Sequence, residues 1–177
     1  MATSILITGG VRSGKSRFAE EQTSSLGTRL CYLATAQALD EEMTERIERH
    51  RLRRGNNWET IEEPLMIPQA LARLDGVYDA ILLDCITLWL SNLLLSFECD
   101  DPSAEGQILT HVHRLASTLR SLSTPIIIVT NEVGQGIVPE SHLGRLYRDL
   151  AGQANQILAA TCSQVYVCIS GIPLKLK

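Results

Sequence analysis

Hydrophobic positions along this chain switch repeatedly between two periods. Short, nearly continuous apolar runs at Ser4 to Thr8, Leu30 to Ala34, Ala80 to Asp84, Pro125 to Thr130 and Gln164 to Ile169 read as strands. Ile126-Ile127-Ile128-Val129 is apolar without interruption, the pattern of a strand that a parallel sheet buries on both faces. Helical spacing takes over from Lys15 to about Ser24, about Glu41 to Arg53, Met66 to Leu74, Thr87 to Leu95, roughly Ala104 to Ser121 and about Glu140 to Ala160. Pro173 to Lys177 alternates apolar residues with lysine and reads as an edge strand. Gly55 to Pro68 and Phe97 to Pro102 are the most irregular stretches and read as surface loops.

Strands that alternate with helical segments imply right-handed crossovers. The expected fold is therefore α/β: a single P-loop NTPase-like domain over residues 1 to 177, with a mostly parallel central sheet, helices on both faces and an edge strand at the C-terminus. Neither a repeat nor a low-complexity linker divides the chain. Ligands in such open sheets sit at the carboxyl ends of the strands, which is where polar motifs matter.

Composition narrows the partners. The 177 residues are 45% hydrophobic, with 16 basic and 20 acidic side chains and a net charge of −4. That is the profile of a soluble domain for which neither nucleic acid nor an anionic membrane is a favoured partner. Cys31, Cys85, Cys99, Cys162 and Cys168 are odd in number and contain no C-x-x-C pair, and no signal-peptide core precedes the first strand. A reduced, cytoplasmic protein without a membrane span is expected.

The clearest chemistry follows the first strand. Gly9-Gly10-Val11-Arg12-Ser13-Gly14-Lys15-Ser16 fits G-x-x-x-x-G-K-[ST], between a strand and a helix as that motif requires. Its glycines let the backbone turn its N–H groups toward phosphate oxygens, and the helix N-terminus adds partial positive charge. Lys15 would reach the β- and γ-phosphates, and the Ser16 hydroxyl would hold Mg²⁺. Asp84 closes an apolar strand, the place of a second Mg²⁺-holding carboxylate. Thr87, just beyond, suits either a substrate contact or a helix cap.

A second unusual stretch is Glu41 to Arg54. On a helix, Arg46, Arg49, His50 and Arg53 share a face at i, i+3, i+4 and i+7. Two functions fit: a guanidinium clamp on phosphates with His50 incidental, or a nucleophilic His50 kept neutral by its cationic neighbours. Acidic residues early and basic residues late also suit the helix dipole without any function. Finally, Thr130 to Pro139 is polar and glycine-rich after the most apolar strand, and its Glu132 suits substrate orientation, Mg²⁺ assistance, a base or a turn cap. In the helix that follows, Arg145 and Asp149 are spaced for an ion pair.

Together these stretches closely resemble the bifunctional adenosylcobinamide kinase / adenosylcobinamide-phosphate guanylyltransferase family of cobalamin biosynthesis. The matching segments are TGGVRSGKS at Thr8 to Ser16, DEEMTERIERH at Asp40 to His50, Trp58, LLDCIT at Leu82 to Thr87, TNEVGQGIVPE at Thr130 to Glu140, RDLAGQANQ at Arg148 to Gln156 and SGIPLKLK at Ser170 to Lys177. They run through the whole chain in order.

The resemblance implies two reactions. A nucleoside triphosphate, ATP or GTP, phosphorylates adenosylcobinamide; GTP then guanylylates a histidine that passes GMP to adenosylcobinamide-phosphate. The matching histidine is His50, which joins Lys15 as the expected catalytic pair. Gly9 to Ser16, Arg46, Arg49, Arg53, Glu63 and Asp84 are the expected nucleotide contacts, with Ser16 and Asp84 on Mg²⁺. Some relatives carry Glu where Asp84 stands, and the family often has a second histidine where Arg49 stands. The resemblance also implies a homotrimer.

Two other readings remain at this level: a simpler P-loop small-molecule kinase without covalent nucleotidylation, and a GTP-dependent switch. The second lacks N-K-x-D, since Thr130-Asn131-Glu132-Val133 occupies the corresponding place.

Overall fold

A seven-stranded sheet organises the chain. In a computed structural model, which describes residues 2–36, 55, 57–98 and 101–177, the strands are β1 (Ser4–Gly9), β2 (Leu30–Ala34), β3 (Trp58–Glu62), β4 (Ala80–Asp84), β5 (Ile126–Val129), β6 (Gln164–Ile169) and β7 (Ile172–Lys175). Their spatial order is β3-β2-β4-β5-β1-β6-β7. Every pairing is parallel except that of β6 with β7, which is an antiparallel hairpin at the edge. The helices described are α1 (Lys15–Ser24), α2 (Ile67–Leu74), α3 (Ile86–Leu95), α4 (Ala104–Ser121) and α5 (His142–Thr161). The helix expected over Glu41 to Arg53 lies outside the described residues.

Period-two alternation assigns the faces. Ile5, Ile7, Leu82, Ile127 and Val129 pack on one side with Ala19 of α1, while Leu6, Ile81, Leu83, Ile126 and Ile128 pack on the other with apolar residues of α2 to α5. The uneven split follows from chain direction. From β1 the chain travels toward β2, whereas the connections from β3 to β4, β4 to β5 and β5 to β6 travel the opposite way. A right-handed crossover puts opposite travel on opposite faces. The neighbours β1 and β5 therefore send their connections apart, and a crevice opens at their carboxyl ends.

One expectation fails. Within Gly55 to Pro68, read as loop, Trp58–Glu62 forms β3, pairing in parallel with β2. As an edge strand it has one neighbour, and its Glu59 and Glu62 are exposed, so it carries no continuous apolar run. The remaining boundaries agree with expectation to within about two residues at each end.

Candidate active site

At the crevice, the backbone after β1 adopts a conformation that only particular residues permit. Gly9 (φ 150°) lies so close to β6 that a Cβ there would come within 2.6 Å of the Cys168 carbonyl oxygen. Gly14 (φ 93°) caps the N-terminus of α1. Between them Arg12 takes φ 55° and the Ser13 amide donates to Gly10 O at 3.3 Å. Lys15, only 9% exposed, folds its ammonium back onto Gly10 O at 2.9 Å. Ser13 Oγ is buried and, among the described residues, has no hydrogen-bond partner.

This loop borders a cavity of about 340 Å³. Val11, Arg12, Lys15 and Ser16 line it from the loop, Asp84 to Leu88 in part from β4 and α3, and Asn131 to Val133 from the segment after β5. Tyr32, Thr60, Glu62 and Tyr147 complete the wall. Asp84 stands in register with Ala34 on one side and Val129 on the other, at the mouth of the sheet. Its Oδ2 accepts from the Tyr32 hydroxyl at 3.1 Å.

Behind Asp84 lies a buried polar knot. Cys85 N donates to Thr35 Oγ1 and Thr35 Oγ1 donates to Cys85 O, each at 2.8 Å. Thr87, 3% exposed, takes a hydrogen bond from Asn131 Nδ2 at 2.6 Å, and its carbonyl takes one from the Tyr147 hydroxyl at 3.0 Å. Thr87 thus braces the cavity wall from inside the first turn of α3. Burial, aided by the neighbouring Asp84 charge, pushes the Cys85 thiol up to about 11, so it stays protonated at neutral pH.

Glu132 is held more firmly still. Its amide donates to Gly9 O at 3.2 Å, tying the segment after β5 to the start of the loop. Its Oε1 accepts from Thr8 Oγ1 at 2.5 Å and from Asn155 Nδ2 at 3.4 Å. Asn155 is itself fixed by Thr130 Oγ1, at 2.7 Å, and by Asn131 O, at 3.2 Å.

The expected contacts Lys15, Ser16 and Asp84 therefore converge, with Val11 and Arg12 beside them. Arg46, Arg49, His50 and Arg53 lie outside the described residues. Glu63 does not face the cavity: its Oε1 accepts from the amides of Leu65 and Met66, at 3.2 and 2.9 Å, at the start of α2, and Glu62 lines the cavity instead. Arg145 does not pair with Asp149; it donates to the carbonyls of Pro139 and Glu140, and Asp149 meets Arg148 at 3.5 Å. Tyr32 and Tyr147 join the wall without a sequence signal beyond a hydroxyl inside an otherwise apolar pattern.

Known proteins match this chain along nearly its whole length. The family described as cobinamide kinase / cobinamide phosphate guanyltransferase matches residues 5–176. The bifunctional adenosylcobalamin biosynthesis protein CobP of Pseudomonas aeruginosa is 44% identical over 173 residues, covering 97% of this chain and 96% of that protein. The bifunctional adenosylcobalamin biosynthesis protein CobU of Escherichia coli is 39% identical over 180 residues, covering 98% and 99%. Among solved structures, the ATP synthase subunit NeqB from Nanoarcheaum equitans superposes with a TM-score of 0.57 at 15% identity, over 94% of this chain and 45% of that one, a likeness of fold.

Proposed function

The chain belongs to the cobinamide kinase / cobinamide phosphate guanyltransferase family, and we propose that the triphosphate loop from Gly9 to Ser16 serves both reactions of this bifunctional transferase. The observation that carries this reading is the convergence of Lys15, Ser16, Asp84 and Glu132 on one cavity at the crevice between β1 and β5. A triphosphate laid along the loop takes hydrogen bonds from its amides and charge from α1 and Lys15. Lys15 leaves Gly10 O for the β- and γ-phosphates, and the acceptor hydroxyl enters on the Asn131 to Val133 side. For guanylyl transfer, His50 approaches the α-phosphorus of a GTP held by the same loop, with Arg46, Arg49 and Arg53 neutralising phosphate charge.

The donors bordering the cavity fit Mg²⁺. Ser16 and Asp84 would offer it hard oxygen donors, with substrate phosphates and water completing its shell. When bound, the ion would neutralise phosphate charge during transfer. ATP and GTP are the triphosphates, and adenosylcobinamide and its phosphate the acceptors. We place the enzyme in the cytoplasm as a homotrimer; no helix among the described residues is long and apolar enough to cross a membrane.

Incubation with GTP labelled at the α-phosphate tests the covalent step. The expected result is an acid-labile, base-stable protein adduct that is absent from His50→Ala. A folded, GTP-binding protein that forms no adduct would overturn guanylyl transfer through His50 and leave the simpler kinase.

A further inference from the structure

We propose that Glu132 is the catalytic group that accepts the proton of the acceptor hydroxyl during phosphoryl transfer, a role that rests on the kinase reading above. Two carboxylates border the cavity, and the fold treats them differently. Asp84, on β4, accepts from Tyr32 and is, with Ser16, a metal-binding candidate on the same cavity. Glu132 leaves β5, the strand between β4 and the strand that leads into the loop. It thus stands at the crevice where the connections of β1 and β5 part.

Its carboxylate is pinned by one oxygen only. Thr8 Oγ1 and Asn155 Nδ2 both donate to Oε1, and Glu132 N is fixed on Gly9 O. Among the described residues Oε2 has no hydrogen bond, although Glu132 lines the cavity. Thr8, 7% exposed, and Asn155, held through Thr130 and Asn131, are themselves immobilised. With Oε1 taken by both donors, the carboxylate of this cavity-lining residue is fixed in place and Oε2 is left to accept a proton, the preorganisation that proton transfer demands.

In the step itself, the hydroxyl proton passes to Glu132 Oε2 while the alcohol oxygen forms its bond to the γ-phosphorus. The bond from that phosphorus to the β–γ bridging oxygen breaks, and its electron pair leaves with the nucleoside diphosphate. Glu132 then releases the proton to water, restoring the carboxylate.

Glu132→Gln keeps an oxygen for Thr8 and removes the proton acceptor. With cobinamide and a nucleoside triphosphate, kcat for phosphorylation should fall at least about 100-fold, while the nucleotide Kd and the Mg²⁺ dependence stay within about threefold of the unsubstituted enzyme. Near-normal kcat, rescue by excess Mg²⁺, or loss of nucleotide binding by the same factor would each overturn the assignment. If Glu132→Gln does not fold, Glu132→Asp, shorter by one methylene, is read against the same criteria. An unsubstituted enzyme that phosphorylates no cobinamide would sink the kinase reading itself, a result distinguishable because it needs no variant.

Discussion

Gly171, in the turn between β6 and β7, donates its amide to the Ser13 carbonyl of the triphosphate loop across 2.9 Å. Its Cα also lies where a Cβ on Gly14 would approach to 3.0 Å. The loop is therefore backed by an exposed edge hairpin. Gly171 and its neighbour Ser170 both take positive φ, 84° and 51°, which brings the turn close enough to make this contact. A Cβ on Gly171 would have nothing within 4 Å, so a substituent there meets backbone strain and no clash. Gly171→Ala should lower stability by about 1–2 kcal/mol and weaken nucleotide binding. Gly171→Asn should lose less of both, because Asn tolerates left-handed backbone. Urea unfolding and nucleotide titration of the two variants check this; equal losses would mean that strain is not the cause.

Lys15 supplies the charge that both reactions share. Its ammonium donates to Gly10 O, which keeps a nearly buried charge partnered. Lys15→Ala should reduce phosphoryl and guanylyl transfer together, each at least about 100-fold. Lys15→Arg should not restore them, since a planar guanidinium does not replace a compact ammonium in so enclosed a place. Steady-state assays of the two half-reactions measure this, and a variant that loses only one of them contradicts the shared cradle.

How far the sequence discloses this arrangement depends on where each signal is stored. The strands β1, β2, β4 and β5 are buried on both faces, so their apolar runs announce them. The loop from Gly9 to Ser16 is equally legible because its requirements are local. The edge strand β3 is not: exposed Glu59 and Glu62 hide it, and with the strand goes its alternation. That alternation turns Glu62 to the cavity and leaves Glu63 to hold the amides of Leu65 and Met66 just before α2, a one-residue phase that spacing alone does not fix. Tyr32 and Tyr147 are 115 residues apart by number and meet only through the fold. The identity of the chemistry was legible from motifs in sequence order; the partners of Glu132 were not, because Thr8 and Asn155 approach it from different elements.

The knot around Thr87 predicts coupled stability effects. Tyr147→Phe removes the donor to the Thr87 carbonyl and should cost about 1 kcal/mol. Asn131→Ala removes the donor to a hydroxyl that is only 3% exposed and should cost about 1–3 kcal/mol. Since both groups hold one residue, the double variant should depart from additivity by at least about 0.5 kcal/mol. Denaturant unfolding of the four proteins supplies the cycle; strict additivity would mean that the two hydrogen bonds act independently.

Alkaline pH should expose the buried thiols as a liability. Burial pushes Cys31 up to about 12 and Cys162 up to about 11, and Cys85 stands at about 11, against an ordinary thiol value of 9.0. Above pH 9 the unfolded chain gives up these protons while the native chain keeps them, so the unfolded state is favoured as pH rises. The stabilisation from holding neutral thiols is fully present below about pH 9 and is lost through the window up to about 11 for Cys85 and Cys162 and about 12 for Cys31. These three groups alone take the slope toward roughly 4 kcal/mol per pH unit at its steepest, and burial raises Cys168 in the same direction. Tyr78 and Tyr147 are also raised by burial, so measurements are cleanest up to about pH 10, at the ordinary tyrosine value. Urea midpoints at pH 7, 8, 9 and 10 under reductant should fall steeply above 9, and Cys162→Ala should flatten that fall by the share of one thiol, at most about 1.4 kcal/mol per pH unit. An unchanged slope in that variant would show that Cys162 does not hold its proton against the unfolded state.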